Sequence, residues 1–175
     1  HQDPDRGRHA ACRNLVKRDG EIALPFDPAE RITAGLSFVG HIRSPWAKGN
    51  APKNLRAARE TGQGARIELL PGYGAGLLGL EVGQAIQLLY WVDRGIRDLI
   101  VQVPGHTDGP RGTFALRSPV RPNPIALGTV VITSLDPETG IIGIDATDAY
   151  DGTPVLDIKP WIGTVDVPPG WRPGA

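Results

Sequence analysis

The chain has 175 residues, which is enough for one domain with a hydrophobic core. Its 19 basic and 19 acidic side chains cancel at pH 7. This balance excludes a global attraction to nucleic acid, so any RNA contact must come from a local basic patch. The single cysteine, Cys12, excludes an internal disulfide framework and a cysteine-based zinc cluster.

The sequence shows neither a membrane span nor an export signal. No apolar run is long enough to cross a membrane, and the first residues are polar and charged. A soluble, cytoplasmic protein is therefore expected. The 23 glycines and 17 prolines indicate many turns. Because apolar segments recur between these breakers, the composition favours a turn-rich β fold over disorder.

The chain is predicted to consist of an N-terminal arm, one main domain and a short tail, at residues 1–31, 32–167 and 168–175. Weak alternation over residues 21–26 allows one extra strand in the arm. The main domain opens with a strand over residues 32–42, which Ser44-Pro45 ends. His41, near the end of that strand, is interpreted as a hydrogen-bonded structural residue.

A polar, basic stretch occupies residues 48–64. Its cations, with one just beyond it, are Lys48, Lys53, Arg56, Arg59 and Arg66. Asn50 is predicted to cap a short helix over residues 55–60 that Gly62 stops. The stretch is interpreted either as a solvated basic loop or as the local patch that faces RNA.

A glycine-rich motif, GAGLLG at residues 74–79, satisfies the dinucleotide-binding pattern, and Asp93 lies at a suitable distance beyond it. That fold needs the motif to follow its strand directly and to open a long helix. Here Pro71-Gly72 separates the motif from the strand at residues 66–70, and Gly83 would interrupt the helix. A Rossmann fold is therefore rejected, and a helical turn is expected at residues 77–82.

The most apolar run, AIQLLYWV at residues 85–92, is predicted to be a central strand that forms a hairpin with residues 98–103. His106 and Asp108 come after that hairpin. They are too few to hold a metal ion, so no metal is predicted.

The segment after these strands is proline-rich and carries two arginines. Residues 113–116 are predicted to be a strand, and Pro119, Pro122 and Pro124 then restrict the backbone. Arg117 and Arg121 present planar guanidiniums suited to carboxylate or phosphate. The alternative is a proline-rich loop whose arginines pair with nearby acids, as Arg121 would with Asp157.

The last part of the chain adds strands and three carboxylates. Residues 129–135 and 141–147 are predicted to form a hairpin, and residues 162–167 one more strand. Between them lies DAYDGTPVLDIKPW, which carries Asp148, Asp151 and Asp157 around an Asp-Gly turn signal. With about eight short, hairpin-linked strands, the fold is predicted to be mainly β, a small antiparallel barrel with short helices.

Two long motifs, LRSPVRPNPIAL and DAYDGTPVLDIKPW, occur in this order after GHIRSPW. Together they closely resemble the TsaA-like family, which includes TrmO-like methyltransferases that use S-adenosylmethionine to methylate threonylcarbamoyladenosine of tRNA. The resemblance covers residues 37–161. It implies a closed β-barrel, tRNA as substrate, and a homodimer with the cofactor near its interface. The chain resembles a short form without the C-terminal domain of larger members.

The resemblance also implies site residues. The cofactor positions are Pro52, Lys53, Asn54, Asp93, Arg94, Arg117, Leu127, Asp148, Ala149, Tyr150 and Asp151. Arg117 is expected to hold the cofactor's carboxylate or a substrate phosphate, and Leu127 to pack on its adenine. Asp151 is the candidate catalytic base; the alternative is a turn residue beside Gly152. Arg121 and Asn123 are the candidate substrate-binding residues.

The sequence departs from the family pattern at Lys53, Asn54, Asp93 and Ala126, where the family has Arg, Gln, His and Gly. Lys53 keeps the charge of arginine but loses its bidentate fork. Two other functions are therefore considered. One is methyl transfer from the same cofactor to a different substrate. The other is a cofactor-binding regulatory protein without catalysis.

Overall fold

The computed structural model describes residues 18–93 and 95–174, and it divides the chain into two compact units. The larger unit is formed by Leu36–Trp91 and by the chain from Leu127 onward. Among the described residues, the smaller unit contains those up to Gly35 and those of Val92–Ala126. The predicted boundaries at residues 31 and 167 stay a prediction.

Strand residues outnumber helical residues in the described part of the chain, and the predicted mainly β fold with short helices is confirmed. The strands are β1 (Ile22–Ala23), β2 (Gly40–Arg43), β3 (Ala65–Leu69), β4 (Ala85–Trp91), β5 (Leu99–Gln102), β6 (Arg111–Gly112), β7 (Ile125–Asp136), β8 (Ile141–Ile144) and β9 (Pro154–Pro160). The α-helices are α1 (Leu55–Glu60) and the single turn α2 (Gly163–Asp166), and 3₁₀ turns cover Pro28–Glu30, Gly74–Leu77 and Thr113–Ala115. None of these helices has the length and apolarity that crossing a membrane requires.

Six strands of the larger unit form a closed barrel in the order β2-β3-β8-β7-β4-β9. Side chains alternate along each strand, so every second residue faces the interior. In β4 the buried residues are Ile86, Leu88 and Tyr90. Aliphatic side chains from the other strands complete the core, among them Ile42, Ile67, Val130, Ile132, Ile142, Ile144 and Val155.

One end of this barrel gathers several connections, and we call it the α1 end because it carries that helix. Arg43 pairs with Arg66 across β2 and β3, and Ala65 pairs with Ile144 across β3 and β8. Because these neighbours are antiparallel, residues 44–64 and residues 145–153 both leave the barrel at this end. β4 also ends here, since Tyr90 pairs with Val155 near the start of β9.

The smaller unit contains a three-stranded sheet in the order β1-β5-β6. Its buried polar centre is Gln102, whose amide donates to Thr113 Oγ1 at 2.9 Å and to the Val120 carbonyl at 2.7 Å. Thr113 Oγ1 in turn donates to the Leu99 carbonyl at 2.9 Å. These bonds tie the proline–arginine segment (residues 116–124) to strand β5 of its own unit.

Three predicted strands are wrong or displaced. Residues 113–116 begin with a 3₁₀ turn, because Thr113 uses its hydroxyl to bond β5 rather than extending β6. Residues 162–167 contain helical turn α2, where Asp166 accepts the Ile162 amide at 2.7 Å. The first barrel strand starts only at Gly40, since residues 31–38 are exposed and lack ladder partners among the described residues.

The predicted hairpin of residues 85–92 with residues 98–103 is also wrong. β4 pairs with β9, while β5 pairs with β1 and β6. β9 was not predicted because it begins at Pro154 and ends at Pro160, and proline weakens the sequence signal of a strand. Proline is nevertheless tolerated at the first residue of a strand. The predicted hairpin of residues 129–135 with residues 141–147 is confirmed by the antiparallel pairing of β7 with β8.

Candidate functional site

The carboxylate-bearing motif forms a closed turn between β8 and β9, which we call the acidic turn (residues 148–152). The Ala149 amide donates to Thr147 Oγ1 at 3.1 Å, and the Thr153 amide donates to the Tyr150 carbonyl at 3.1 Å. Gly152 has a φ of 83°, a conformation that favours glycine. The turn predicted at Asp151-Gly152 is therefore confirmed.

The segment Ser44-Pro45-Trp46, which comes directly after β2, holds this turn in place. Trp46 Nε1 donates to the Thr147 carbonyl at 2.7 Å, and Ser44 Oγ donates to the Ala149 carbonyl at 2.6 Å. In the other direction, the Asp151 amide donates to the Trp46 carbonyl at 2.8 Å. Because both segments contribute donors and acceptors, the acidic turn has one fixed backbone path before any ligand binds.

The Asp151 carboxylate faces solvent from this fixed backbone. Its Oδ1 accepts the Ser44 amide at 3.2 Å, and its Oδ2 lies 3.9 Å from the Arg43 guanidinium. The side chain is still 54% exposed. A carboxylate that is oriented but accessible is chemically able to accept a proton from a bound substrate. Its catalytic role stays a prediction.

Asp148 points to a different partner. The Tyr90 hydroxyl donates to Asp148 Oδ1 at 2.8 Å. The Tyr90 ring also lies beside Gly128, where a Cβ would come within 3.9 Å of Tyr90 Cε1 and 3.5 Å of Leu55 Cδ2. The geometry thus places Leu55, Gly128 and Asp148 around one buried tyrosine at the α1 end of the barrel.

Asn54 caps helix α1, since its side-chain oxygen accepts the Ala57 amide at 2.9 Å. The predicted cap, Asn50, is wrong because its oxygen accepts the Ala47 amide instead. An asparagine is shorter than the glutamine of the family pattern and is a favoured N-cap residue. Its neighbours in the predicted cofactor motif are half-buried Pro52 and exposed Lys53.

Leu127 lies on β7 next to Gly128 and is 42% exposed. The larger unit therefore brings together Pro52, Lys53, Asn54, Leu127, Asp148, Ala149, Tyr150 and Asp151 at the α1 end. Ala149 is buried and contributes backbone groups alone, whereas Tyr150 is half-buried.

The other predicted residues belong to the smaller unit. Arg117 is exposed and has no hydrogen-bond or ion-pair partner among residues 18–93 and 95–174. Arg121 donates to the carbonyls of Leu116 and Ser118 at 3.0 and 3.1 Å. Asn123 is exposed, and its side-chain oxygen lies 3.5 Å from the Arg97 guanidinium.

The predicted pairing of Arg121 with Asp157 is wrong. Asp157 pairs with Lys159 at 3.1 Å, and Arg121 satisfies its donors on nearby carbonyls. Asp93 is exposed in the smaller unit, and Arg94 lies outside the described residues. Within those residues, no group of three or more His, Cys, Asp or Glu side chains is placed to hold a metal ion.

A charged cluster borders the acidic turn. Glu68 on β3 accepts from Arg43 Nε at 3.2 Å and from Arg66 Nε at 3.0 Å. The hydrogen bonds from Arg43 and then from Arg66 hold the pKa of Glu68 below its usual range. A polar cavity of about 410 Å³ lies beside this cluster, lined by Arg43, Ser44, Pro45, Gly64, Ala65, Arg66 and Asp151.

Tyr90 and the roles of Ser44 and Trp46 were not predicted from the sequence. Tyr90 lies in an apolar run, and nothing in its local pattern distinguishes a hydrogen-bonded tyrosine from an ordinary core residue. Ser44 and Trp46 lie inside the opening motif GHIRSPW, which indicates a strand and its end. The feature that could have indicated their roles is the presence of two side-chain hydrogen-bond donors, serine and tryptophan, at the end of that strand.

The tRNA-methyltransferase O N-terminal domain family model matches residues 41–167. A probable S-adenosyl-L-methionine-binding protein of Archaeoglobus fulgidus is 42% identical over 75% of this chain and 35% of its own length. A tRNA (adenine(37)-N6)-methyltransferase of Eikenella corrodens is 44% identical over 36% of each chain. The chain thus spans only about a third of each of these relatives.

A crystal structure of TrmO from Pseudomonas aeruginosa superposes on this chain with a TM-score of 0.62 and 30% sequence identity, covering 82% of this chain and 62% of that one. The stretch matched by the family model contains the acidic turn, the Ser44-Pro45-Trp46 segment and the proline–arginine segment. The chain belongs to the tRNA-methyltransferase O N-terminal domain family.

Proposed function

We propose that this chain binds S-adenosylmethionine and transfers its methyl group to an adenine-type nucleoside of tRNA. The observation that carries the proposal is the acidic turn. It is fixed by Ser44 and Trp46 at the barrel end that also carries Asn54 and Leu127. Membership of the tRNA-methyltransferase O family and the names of the relatives support the same activity.

We assign one group of the chain to each chemical group of this cofactor, following the positions that the family resemblance implies. Its carboxylate needs a cation, and Arg117 is an exposed guanidinium without a described partner. Its adenine needs an apolar surface, which the partly exposed Leu127 offers. Its ammonium and adenine edge need acceptors, which the carboxylates of the acidic turn and the backbone of Ala149 and Tyr150 provide.

S-adenosylmethionine, when bound, supplies an electrophilic methyl group on a sulfonium. The protein's own contribution is alignment and one proton transfer. Asp151 is the proposed base: it is held by the Ser44 amide, it is accessible, and it can take the proton from the attacking nitrogen. Tyr90 orients Asp148 through the hydrogen bond to Oδ1 and leaves its second oxygen for ligand.

The finer proposal is that the acceptor is the exocyclic nitrogen of threonylcarbamoyladenosine next to the anticodon. In this proposal Arg121 and Asn123 contact the substrate. Arg121 donates two hydrogen bonds to backbone carbonyls, and its remaining N–H groups are available for a phosphate or carboxylate. We further propose that the protein acts as a cytoplasmic homodimer.

Calorimetry tests the cofactor proposal. Wild-type protein should bind S-adenosylmethionine, and Arg117→Ala should weaken binding by about tenfold or more, the value of one charge-assisted hydrogen bond. Arg111→Ala removes another exposed arginine of the smaller unit and should leave the affinity unchanged. A wild-type protein that does not bind S-adenosylmethionine would refute cofactor binding. An Arg117→Ala variant with wild-type affinity would show that Arg117 does not belong to the site.

Mass spectrometry of tRNA nucleosides tests the reaction. Incubation of protein, cofactor and tRNA should add one methyl group to threonylcarbamoyladenosine, and Asp151→Asn should slow this reaction by about 10²-fold or more at saturating cofactor. A methylated nucleoside of another kind would favour methyl transfer to a different substrate.

A second function, cofactor binding without catalysis, is favoured by one observation. The side-chain oxygen of Asn54 is already used as a helix cap, so this position presents only amide donors where the family has glutamine. Tight binding of S-adenosylmethionine with no methylated product would support this regulatory function over the enzyme.

A further inference from the structure

The positive charge of this neutral chain is concentrated in one connection, which we call the basic connection (residues 43–66). It contains six basic side chains and one acidic side chain, Glu60, and so has a formal charge of +5. The whole chain has a formal net charge of zero. The basic residues are Arg43, Lys48, Lys53, Arg56, Arg59 and Arg66, and all are exposed.

The topology places these cations at the same end of the barrel. The basic connection starts and ends on neighbouring antiparallel strands, with Arg43 directly opposite Arg66. Residues opposite each other in such a pair have Cβ atoms about 5 Å apart, and like charges there are unfavourable unless compensated. Glu68 supplies one compensating carboxylate between the two guanidiniums.

Only part of this charge is neutralised within the protein. Arg59 pairs with Asp145 at 3.1 Å, whereas Arg56 is 89% exposed and lies 3.7 Å from Glu60. Lys48 and Lys53 have no ion-pair partner in the part of the chain that the structure describes. An exposed pair such as Arg56 with Glu60 contributes little and is readily replaced by a ligand.

The basic connection also borders the proposed catalytic group. The polar cavity of about 410 Å³ has Arg43 and Arg66 on its wall together with Asp151. A polyanion bound along the connection would therefore pass next to the proposed base.

The chemistry of the connection favours RNA over an acidic protein. Lysine is depleted at protein–protein interfaces, which rely on aromatic and apolar anchors. The aromatic residue of the connection is Trp46, which is buried. Exposed lysines and arginines spread along a loop are instead typical of contacts to phosphates.

We propose that the basic connection is the surface that binds the sugar–phosphate backbone of the RNA substrate. This inference rests on the proposed function, because it assigns the partner of the same site. It places the phosphates next to the cavity at Asp151, with Lys48 and Arg56 among their contacts. Lys53 is set aside from the test because it also belongs to the proposed cofactor motif.

Fluorescence anisotropy with a labelled anticodon stem-loop RNA tests the proposal. The double variant Lys48→Gln/Arg56→Gln should weaken binding by about tenfold and lower the slope of log K against log salt by about 1.4, roughly 0.7 for each lost contact to single-stranded RNA. The matched control, Lys159→Gln/Arg172→Gln, removes the same charge from exposed positions of the larger unit outside the connection and should bind like wild type.

Several outcomes would overturn the proposal. These are equal weakening in both double variants, wild-type protein that does not bind the RNA, or polyglutamate of equal charge competing as well as unlabelled RNA. Circular dichroism and the single variant Lys48→Gln control for folding. Calorimetry with S-adenosylmethionine on the same samples distinguishes failure of the proposed function from failure of the RNA-binding surface. If the protein binds RNA but does not bind the cofactor, the proposed function is refuted and the RNA-binding surface is retained.

Discussion

The acidic turn and the proline–arginine segment are both fixed loops with charged side chains, but they are fixed by different means. The acidic turn is held by hydrogen bonds to residues about a hundred positions away, from Ser44 and Trp46. The proline–arginine segment is held by three prolines and by Arg121, whose carbonyl partners lie three and five residues away. Its more distant restraints come from Gln102 and Arg97 of the same unit, which donate to the Val120 and Pro122 carbonyls across 18 and 25 positions.

The two kinds of restraint predict different responses of the two loops to mutation. A loop held by distant partners loses its shape when the partner segment changes, although its own sequence is intact. A loop that contains three prolines and bonds to its own carbonyls depends more on its own sequence, because proline restricts the unfolded chain as well as the folded one. The acidic turn should therefore be sensitive to changes at Ser44 and Trp46, and the proline–arginine segment mainly to changes in its own residues.

The largest effect is expected for Trp46→Ala. Trp46 is 8% exposed and donates to Thr147, so the change opens a cavity and removes an anchor of the acidic turn. A loss of about 3–5 kcal/mol in the free energy of unfolding is expected, measured by urea denaturation. Trp171, which is 52% exposed, gives the matched control, since Trp171→Ala should change stability by less than about 0.5 kcal/mol. Similar losses in both variants would contradict the anchoring role.

Tyr90→Phe tests whether the tyrosine hydroxyl orients Asp148 of the acidic turn. The ring keeps its place in the core beside Gly128, and only the hydroxyl that donates to Asp148 is lost. Hydrogen bonds to charged groups contribute about 1.5–3 kcal/mol, and the affinity for S-adenosylmethionine should fall with the loss of an oriented Asp148. Calorimetry and thermal unfolding measure both effects. The control is Tyr73→Phe, an exposed tyrosine; if it lowered affinity equally, Tyr90 would have no special role.

Arg121→Ala tests the proline–arginine segment by itself. Two hydrogen bonds to backbone carbonyls are lost, each with a net value of about 0.5–1.5 kcal/mol. Because prolines still restrict the backbone, the loss should be confined to this segment and appear as faster amide exchange at residues such as Leu116. Arg117→Ala is the control, and its exchange should match wild type. Exchange that rises throughout the smaller unit would show that local bonds are not what holds the loop.

Much of this could be predicted from the sequence, and the failures have a common physical cause. Helix α1, the β7–β8 hairpin and the turn at Asp151-Gly152 were predictable because their signals lie within a few neighbouring residues. The pairing of β4 with β9 and the bond between Tyr90 and Asp148 join distant residues. No local pattern specifies them. The family resemblance identified the motifs of the site, but it did not identify the hydrogen bonds from Ser44, Trp46 and Tyr90 that hold them in place.

The smallest effect is expected for Glu68→Gln, which tests the charged cluster beside the acidic turn. The hydrogen bonds from Arg43 and Arg66 depress the pKa of Glu68 in the folded protein below its ordinary value. A carboxylate with a depressed folded pKa stabilises the fold above its unfolded pKa, and this contribution is lost as pH falls through the folded pKa. The melting temperature of wild type should therefore exceed that of Glu68→Gln slightly at neutral pH, and the two should converge below about pH 4. Added salt should narrow the gap at neutral pH, because both guanidiniums and the carboxylate are partly exposed. A gap that persists unchanged at acid pH would mean that Glu68 acts through its shape and hydrogen bonds rather than its charge.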